Sequence, residues 1–265
     1  MELKSVGFVG GGRITRVLLE RLAGRGLPRL VVSDSDASAR ARLAAAFPAV
    51  EATADNRVAA AQDVVFLALH PPALKSVLPQ LAGALRGDAV VVSLAPVLTL
   101  EALGALAVGF GRFARMIPNA PSLLGQGYNP VAYAAALTSS ERQRLEAVFD
   151  LWGAHPEVEE ESLEAYAVLT AMGPTYLWFQ LQELRELAVR FGLSGPAAEA
   201  GLAATVHGAA AMLLESGLPP ADVLDTIPVH PIKEREAAIR AAYEELLPAL
   251  LAKLEAARSR GTTGA

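Results

Sequence analysis

The chain has no cysteine at any of its 265 positions. Disulfides, zinc–thiolate sites and cysteine nucleophiles are therefore excluded, and a cytoplasmic location is the expectation. Basic runs are also missing. The formal net charge is −5, which argues against nucleic acid as a partner because phosphate neutralisation needs clustered Lys and Arg. The opening residues carry no basic segment followed by a signal-type apolar core. The most apolar stretch, residues 200–214, falls short of the roughly 20 residues of a membrane span, so no membrane partner is expected. Histidine occurs only four times, and no pair has metal-ligand spacing, so no metal is expected. Hydrophobic residues, by contrast, make up 52% of the chain, enough to bury one large core or two modest ones.

The most informative stretch is the start. Lys4-Ser5-Val6-Gly7-Phe8-Val9 is an apolar, β-rich run that leads into Gly10-Gly11-Gly12-Arg13-Ile14-Thr15, where a helical pattern begins. A strand, a glycine turn and a helix N-terminus make up the element that cradles a dinucleotide pyrophosphate: Gly10 permits the tight turn, Gly12 lets the backbone approach the phosphates, and the helix from Arg13 and Ile14 offers N–H groups and a positive dipole end. Thr15 stands where the usual fingerprint has a third glycine. A second apolar run, residues 30–33, ends at Asp34, about twenty residues beyond the turn, where a ribose-binding carboxylate is expected. The cofactor expected is therefore NAD(P)H. Asp34 repels a 2′-phosphate and Ser35 is not an arginine, so NADH is favoured, unless Arg13 and Arg40 fold over the ribose.

From residue 6 to about 160, β-rich runs at 6–9, 30–33, 64–69, 90–94, 111–117 and 131–134 alternate with Ala- and Leu-rich helical patterns at 14–25, 37–46, 73–85 and 100–106. This alternation implies crossover units and a mainly parallel, doubly wound sheet of Rossmann type. After about Ser162 the β-runs stop, and an all-α C-terminal dimerisation domain is expected. Leu177, Leu181, Leu184, Ala188 and Phe191 recur at helical spacing, predicting one buried face. Residues 200–214 are apolar all round apart from Thr205 and His207, with Gly201 and Gly208 on one face where another backbone can come close; such a helix needs covering on every side, and a second subunit is the natural cover. A last helix begins at Pro231, with Pro248 predicted to kink or divide it. The domains expected are residues 1–161 for the dinucleotide, 162–257 for substrate and dimerisation, and 258–265 as a disordered tail.

Several of these segments together resemble the pyrroline-5-carboxylate reductases, which reduce a cyclic imine to proline with NAD(P)H. Gly10-Gly11-Gly12-Arg13-Ile14-Thr15 sits at that family's glycine turn. Ala68-Leu69-His70-Pro71-Pro72 stands where the family reads Ala-Val-Lys-Pro-Gln, and Ser93-Leu94-Ala95 where it reads Ser-Ile-Ala. Arg115-Met116-Ile117-Pro118-Asn119-Ala120-Pro121 resembles its Arg-x-Met-Pro-Asn-Thr-Pro block. In the helical half, Leu169-Thr170-Ala171-Met172-Gly173-Pro174-Thr175-Tyr176 is similar to Leu-Ser-Gly-Ser-Gly-Pro-Ala-Tyr. The resemblance implies a homodimeric cytoplasmic oxidoreductase of proline biosynthesis. Beside it, the residues carry their own readings. Pro71 rigidifies the loop at the carboxyl end of a strand and Ala68 and His70 stand over the cofactor there, or His70 is an ordinary loop histidine. The Asn119 amide suits a nicotinamide carboxamide or a substrate, or it closes an Asx-type turn. Gly173-Pro174 offers a helix start to a substrate carboxylate, or is simply a helix terminus.

The chain departs from the family at its substrate loop. Where the family reads Thr-Ser-Pro-Gly-Gly-Thr-Thr, this chain has Thr226-Ile227-Pro228-Val229-His230-Pro231-Ile232. Hydride attack on a C=N carbon needs a proton donor or a pre-protonated nitrogen, and the carboxylate needs backbone N–H groups. Pro231 has no N–H and Val229 adds branched bulk. His230 and Lys233 are candidate replacements for the lost donor, and Thr170, at the serine of the resembling segment, is the third catalytic candidate. The plainer reading puts Lys233-Glu234-Arg235-Glu236 on a solvated face, with Glu157, Glu159, Glu160 and Glu161 as a solvated run. Three functions follow: a reductase of a small cyclic imine or ketone, a dinucleotide-binding dimer without turnover, or a deazaflavin-partnered NADP reductase.

Overall fold

The computed structural model describes residues 3–26 and 29–262, the last two by backbone alone. The chain divides into two compact units: Met1–Met172 together with Ala249–Ala265, and Gly173–Pro248. The strands are β1 (Ser5–Val9), β2 (Arg29–Ser33), β3 (Glu51–Thr53), β4 (Val64–Leu67), β5 (Val90–Ser93), β6 (Phe113–Met116), β7 (Gly127–Tyr128), β8 (Val131–Tyr133) and β9 (Gly153–Ala154). Seven of them form one sheet in the order β3-β2-β1-β4-β5-β6-β8. All neighbours are parallel except β8, which runs antiparallel to β6. Chain order reverses between β1 and β4, and ligands of open α/β sheets bind beyond the carboxyl ends of the strands at such a switch point.

The sheet forms because β-branched and aromatic residues alternate sides in strands that are buried on both faces. Val6, Phe8, Val64, Phe66, Val90 and Val92 lie in one core with Leu18, Leu19, Phe149 and Trp152. Val9, Val65, Leu67 and Val91 lie in the other with Leu74, Leu78 and Leu103. The covering helices of the first core are α1 (Arg13–Leu22), α2 (Ala37–Ala46) and, further on, α6 (Ser139–Phe149); those of the second are α3 (Asn56–Ala60), α4 (Pro71–Leu81) and α5 (Leu100–Leu106). Phe8 stacks on Phe66 at 4.7 Å and Phe66 meets the Trp152 edge at 5.3 Å. The Trp152 indole N–H donates to the Leu18 carbonyl at 3.0 Å, which satisfies its only polar atom inside the core. The short strands β3, β7 and β9 and the helix α3 lie outside the six β-runs and four helical patterns read from the sequence.

A short helix α7 (Leu163–Tyr166) continues into a π-helical turn, Ala167–Ala171. The second unit holds α8 (Pro174–Arg190), α9 (Gly195–Glu215), α10 (Pro220–Asp225) and the start of α11 (Lys233–Thr262). Three expectations change here. Of the face of α8 predicted to be buried, Leu177 at 49%, Leu184 at 50% and Phe191 at 79% are exposed in a single copy of the chain, while Leu181 and Ala188 are half-buried. Pro248 does not divide α11, whose helical run passes through it; the helix has enough turns on each side to absorb one missing N–H. The expected disordered tail is helical as far as Thr262, and residues 263–265 lie outside the described residues. In addition, α9 extends over 21 residues, so by length and composition it could cross a membrane, contrary to the estimate from residues 200–214.

Candidate functional site

A cavity of about 640 Å³ opens at the carboxyl ends of β1, β2 and β4. Gly12, Arg13 and Ile14 form its floor, Asp34 stands on one side, and Ala68, His70, Leu94 and Pro96 line the other. Gly10 has φ of +106°, and a Cβ there would meet the Ala68 carbonyl oxygen at 2.5 Å, so only glycine fits the turn. A Cβ on Gly12 would meet no protein atom within 4 Å. Gly12 thus faces the open cavity, at the N-cap of α1, where no side chain caps the helix. Backbone N–H groups and the dipole end are left to an anion. Thr15 explains why the third glycine is dispensable: its hydroxyl is buried and donates to the Gly10 carbonyl at 2.6 Å, closing the turn.

Asp34 follows β2 directly. One carboxylate oxygen accepts from the Gly11 N–H and the other from the Asp36 N–H, both at 2.8 Å. The carboxylate is thereby aimed over the glycine turn, with lone pairs left for a ribose hydroxyl. Arg16 and Arg42 join Arg13 along the cavity. Arg40 is turned away into two bonds with the backbone carbonyls of Asp34 and Ser35. His70 is exposed and is the N-cap residue of α4, whose first residue is Pro71. A dinucleotide fits these donors: an uncapped helix start for pyrophosphate, a carboxylate for ribose, and an apolar wall at Leu94 and Pro96.

Asn119 does not line this cavity. It is buried, its amide oxygen accepts from the Tyr128 N–H at 3.1 Å and its Nδ2 donates to the Thr170 carbonyl at 3.3 Å. Its side chain closes distant backbone groups and not the Asx-type turn of the plainer reading, and it joins the segment after β6 to the π-helical turn that carries Thr170. The Thr170 hydroxyl donates to the Tyr166 carbonyl at 2.9 Å. His230 and Lys233 lie in the second unit, both exposed, where they border an apolar groove of about 630 Å³ with Thr205, Met212 and Ile232. Glu236 in the same helical turn accepts from Arg240, which lowers its carboxyl pKa.

One feature near the cavity has no counterpart in the sequence reading. Arg115 is fully buried and donates to Glu160 and to Glu164, each at 2.8 Å. Glu160 also accepts from the Leu100 N–H at 2.6 Å, and Glu164 from the Val97 N–H at 3.2 Å. Arg258 lies 3.5 Å from the other oxygen of Glu164. Glu160 is therefore a partner of a buried cation, whereas Glu157 remains an exposed partner of Arg142. A long-range ion cluster leaves no local periodicity, and the only sequence signal was the Arg115 block itself.

A parallel sheet with a glycine turn, an acidic strand end and a helical C-terminal unit defines a two-part dinucleotide-binding oxidoreductase. Residues 5–96 match the family described as NADP oxidoreductase, coenzyme F420-dependent, and residues 160–260 match pyrroline-5-carboxylate reductase dimerisation. The chain is 31% identical to the pyrroline-5-carboxylate reductase of Pseudomonas aeruginosa, over 98% of this chain and 96% of that one. It belongs to the pyrroline-5-carboxylate reductase family. Its fold is shared with the Plasmodium falciparum pyrroline carboxylate reductase crystallised with NADP, at a TM-score of 0.76 and 19% identity over 99% and 98% of the two chains. The Coxiella burnetii pyrroline-5-carboxylate reductase superposes at 0.68 with 27% identity, over 98% of each chain.

Proposed function

We propose that the chain is an NAD(P)H-dependent reductase of a small cyclic imine or ketone, that NADH is its favoured cofactor, and that it works as a cytoplasmic homodimer or an assembly of dimers. The observation that carries the reading is the convergence of the glycine turn, the uncapped α1 and Asp34 on one cavity at the switch point of the sheet. A bound reduced nicotinamide supplies the hydride that attacks the C=N or C=O carbon. The chain's own part is to hold the pyrophosphate at Gly12, Arg13 and Ile14, to accept a ribose hydroxyl at Asp34, and to wall the site with Ala68, His70 and Leu94. The carboxylate of Asp34 supports NADH over NADPH, because a 2′-phosphate there meets a like charge.

A proton must also reach the substrate nitrogen or oxygen. His230 is the first candidate donor, with Lys233 and Thr170 behind it. Family membership supports pyrroline-5-carboxylate as the parent substrate and proline formation as the parent reaction, whereas the loop of Ile227, Val229 and Ile232 supports an altered one. That loop also supports a second reading, a dinucleotide-binding dimer without turnover. The two separate in one assay: oxidation of NADH and NADPH with pyrroline-5-carboxylate, a panel of cyclic imines and 2-keto acids. Turnover of any of them by the wild type, lost in His230→Ala with nucleotide binding intact, supports the reductase and its donor. Tight nucleotide binding with no turnover across the panel supports the second reading. Self-association is supported by the exposed apolar faces of α8 and α9 and by the dimerisation family matched over them.

A further inference from the structure

Val97 has φ of +66° and is the one non-glycine among the described residues in the left-handed region. A β-branched residue is strained there and stays only if its surroundings hold it. The loop it belongs to leaves β5 and contributes Leu94 and Pro96 to the wall of the dinucleotide cavity. Two carboxylates grip the backbone of this segment: Glu164 accepts from the Val97 N–H and Glu160 from the Leu100 N–H. Both pair with the same buried guanidinium, Arg115, and Glu164 also faces Arg258 at 3.5 Å. A buried ion pair contributes little net stability compared with apolar packing; here its directed bonds hold Glu160 and Glu164 where they reach the backbone of the loop.

We propose that Glu164 is a positioning residue for the cofactor cavity: it holds the strained Val97 backbone and so keeps Leu94 and Pro96 against the dinucleotide. It touches neither cofactor nor substrate; it acts through the loop. The inference rests on the cavity being the dinucleotide site, and the experiment separates the two. Glu164→Gln weakens the charged grip while preserving shape. In the folded variant, NADH titration should show affinity about tenfold lower, and hydrogen exchange should quicken over residues 94–98 and not over β1 and β4. Adding Val97→Gly removes the strain that the grip opposes, so the double variant should return to within about threefold of wild-type affinity. A folded Glu164→Gln with wild-type affinity and exchange, or a loss that Val97→Gly does not repair, overturns the proposal. Where Glu164→Gln does not fold, Val97→Gly alone decides: relief of strain should raise Tm by about a few degrees with affinity kept, and an unchanged or lower Tm overturns the proposal. A wild type that binds neither NADH nor NADPH would instead refute the cavity assignment, while exchange over residues 94–98 still reports on the grip.

Discussion

The two units of this chain solve the problem of burying apolar surface in different ways. In the sheet unit every residue of β1, β4, β5 and β6 is buried, and the covering helices bury leucines at each turn. In the helical unit Ala198 is the sole buried hydrophobic among the described residues of 173–248, while Leu177, Trp178, Phe179 and Leu184 are all at least 49% exposed. The composition of the two halves is similarly apolar, so the difference lies in what covers the surface. The first unit is complete within one copy of the chain. The second leaves its apolar faces open in a single copy of the chain, and on the proposed self-association its stability should depend on concentration as the first unit's does not.

The contrast extends to chemistry, and the largest expected effect breaks it there. The sheet unit keeps the turn and carboxylate that a dinucleotide needs, while the loop of the helical unit has lost the polar groups suited to the family's imine. Turnover of pyrroline-5-carboxylate should therefore be several orders of magnitude below that of an ordinary reductase, since each lost donor costs about 3 kcal/mol in the transition state. Grafting Ser-Pro-Gly-Gly-Thr-Thr over Ile227 to Ile232 should recover part of it. Full activity of the unmodified chain in a steady-state NADH assay would refute this.

Next in size are the core variants. Trp152→Ala should destabilise the sheet unit by about 3–5 kcal/mol, by denaturant titration, irrespective of protein concentration. Phe179→Ala, on an exposed face of α8, should instead shift sedimentation toward smaller species and lower Tm only where that shift occurs. Equal, concentration-independent losses in both would erase the distinction between the units.

Smaller still are the effects on nucleotide binding. Gly12→Val should lower NADH affinity about 100-fold, because the new side chain enters the space of the phosphates. Its Tm should hold, since a Cβ at this position meets no protein atom within 4 Å. Unchanged affinity in calorimetry would move the pyrophosphate elsewhere. Asp34→Ser should shift preference toward NADPH about tenfold by removing a like charge and leaving Arg13, Arg16 and Arg42. Parallel titration of the two cofactors measures it.

The sheet was legible because six of its strands are β-branched runs bounded by turns, and such runs announce themselves locally. β3 was not, being three residues of which none is buried; it is a strand through its pairing with β2. The glycine turn was legible for the same local reason, and so was Asp34. Asn119 was legible as a polar residue at a strand end, but its partners Tyr128 and Thr170 are set by tertiary structure. Glu160 read as a member of a solvated acidic run and Glu164 carried no signal at all; only the pairing of both with Arg115 reveals what they do. The face of α8 was read as one to be buried, and a single copy of the chain leaves Leu177, Leu184 and Phe191 exposed, since a pattern of spacing states that a face needs covering and not which molecule supplies the cover.

The chain's two tryptophans divide between the units: Trp152 is fully buried in the sheet core and Trp178 is 53% exposed on α8. The protein therefore carries a separate optical reporter in each. Trp178→Phe leaves an indole whose blue emission reports unfolding of the sheet unit alone, and Trp152→Phe leaves one whose red emission and quenching by iodide report the covering of α8. Recorded against protein concentration, the second signal follows assembly without any added label.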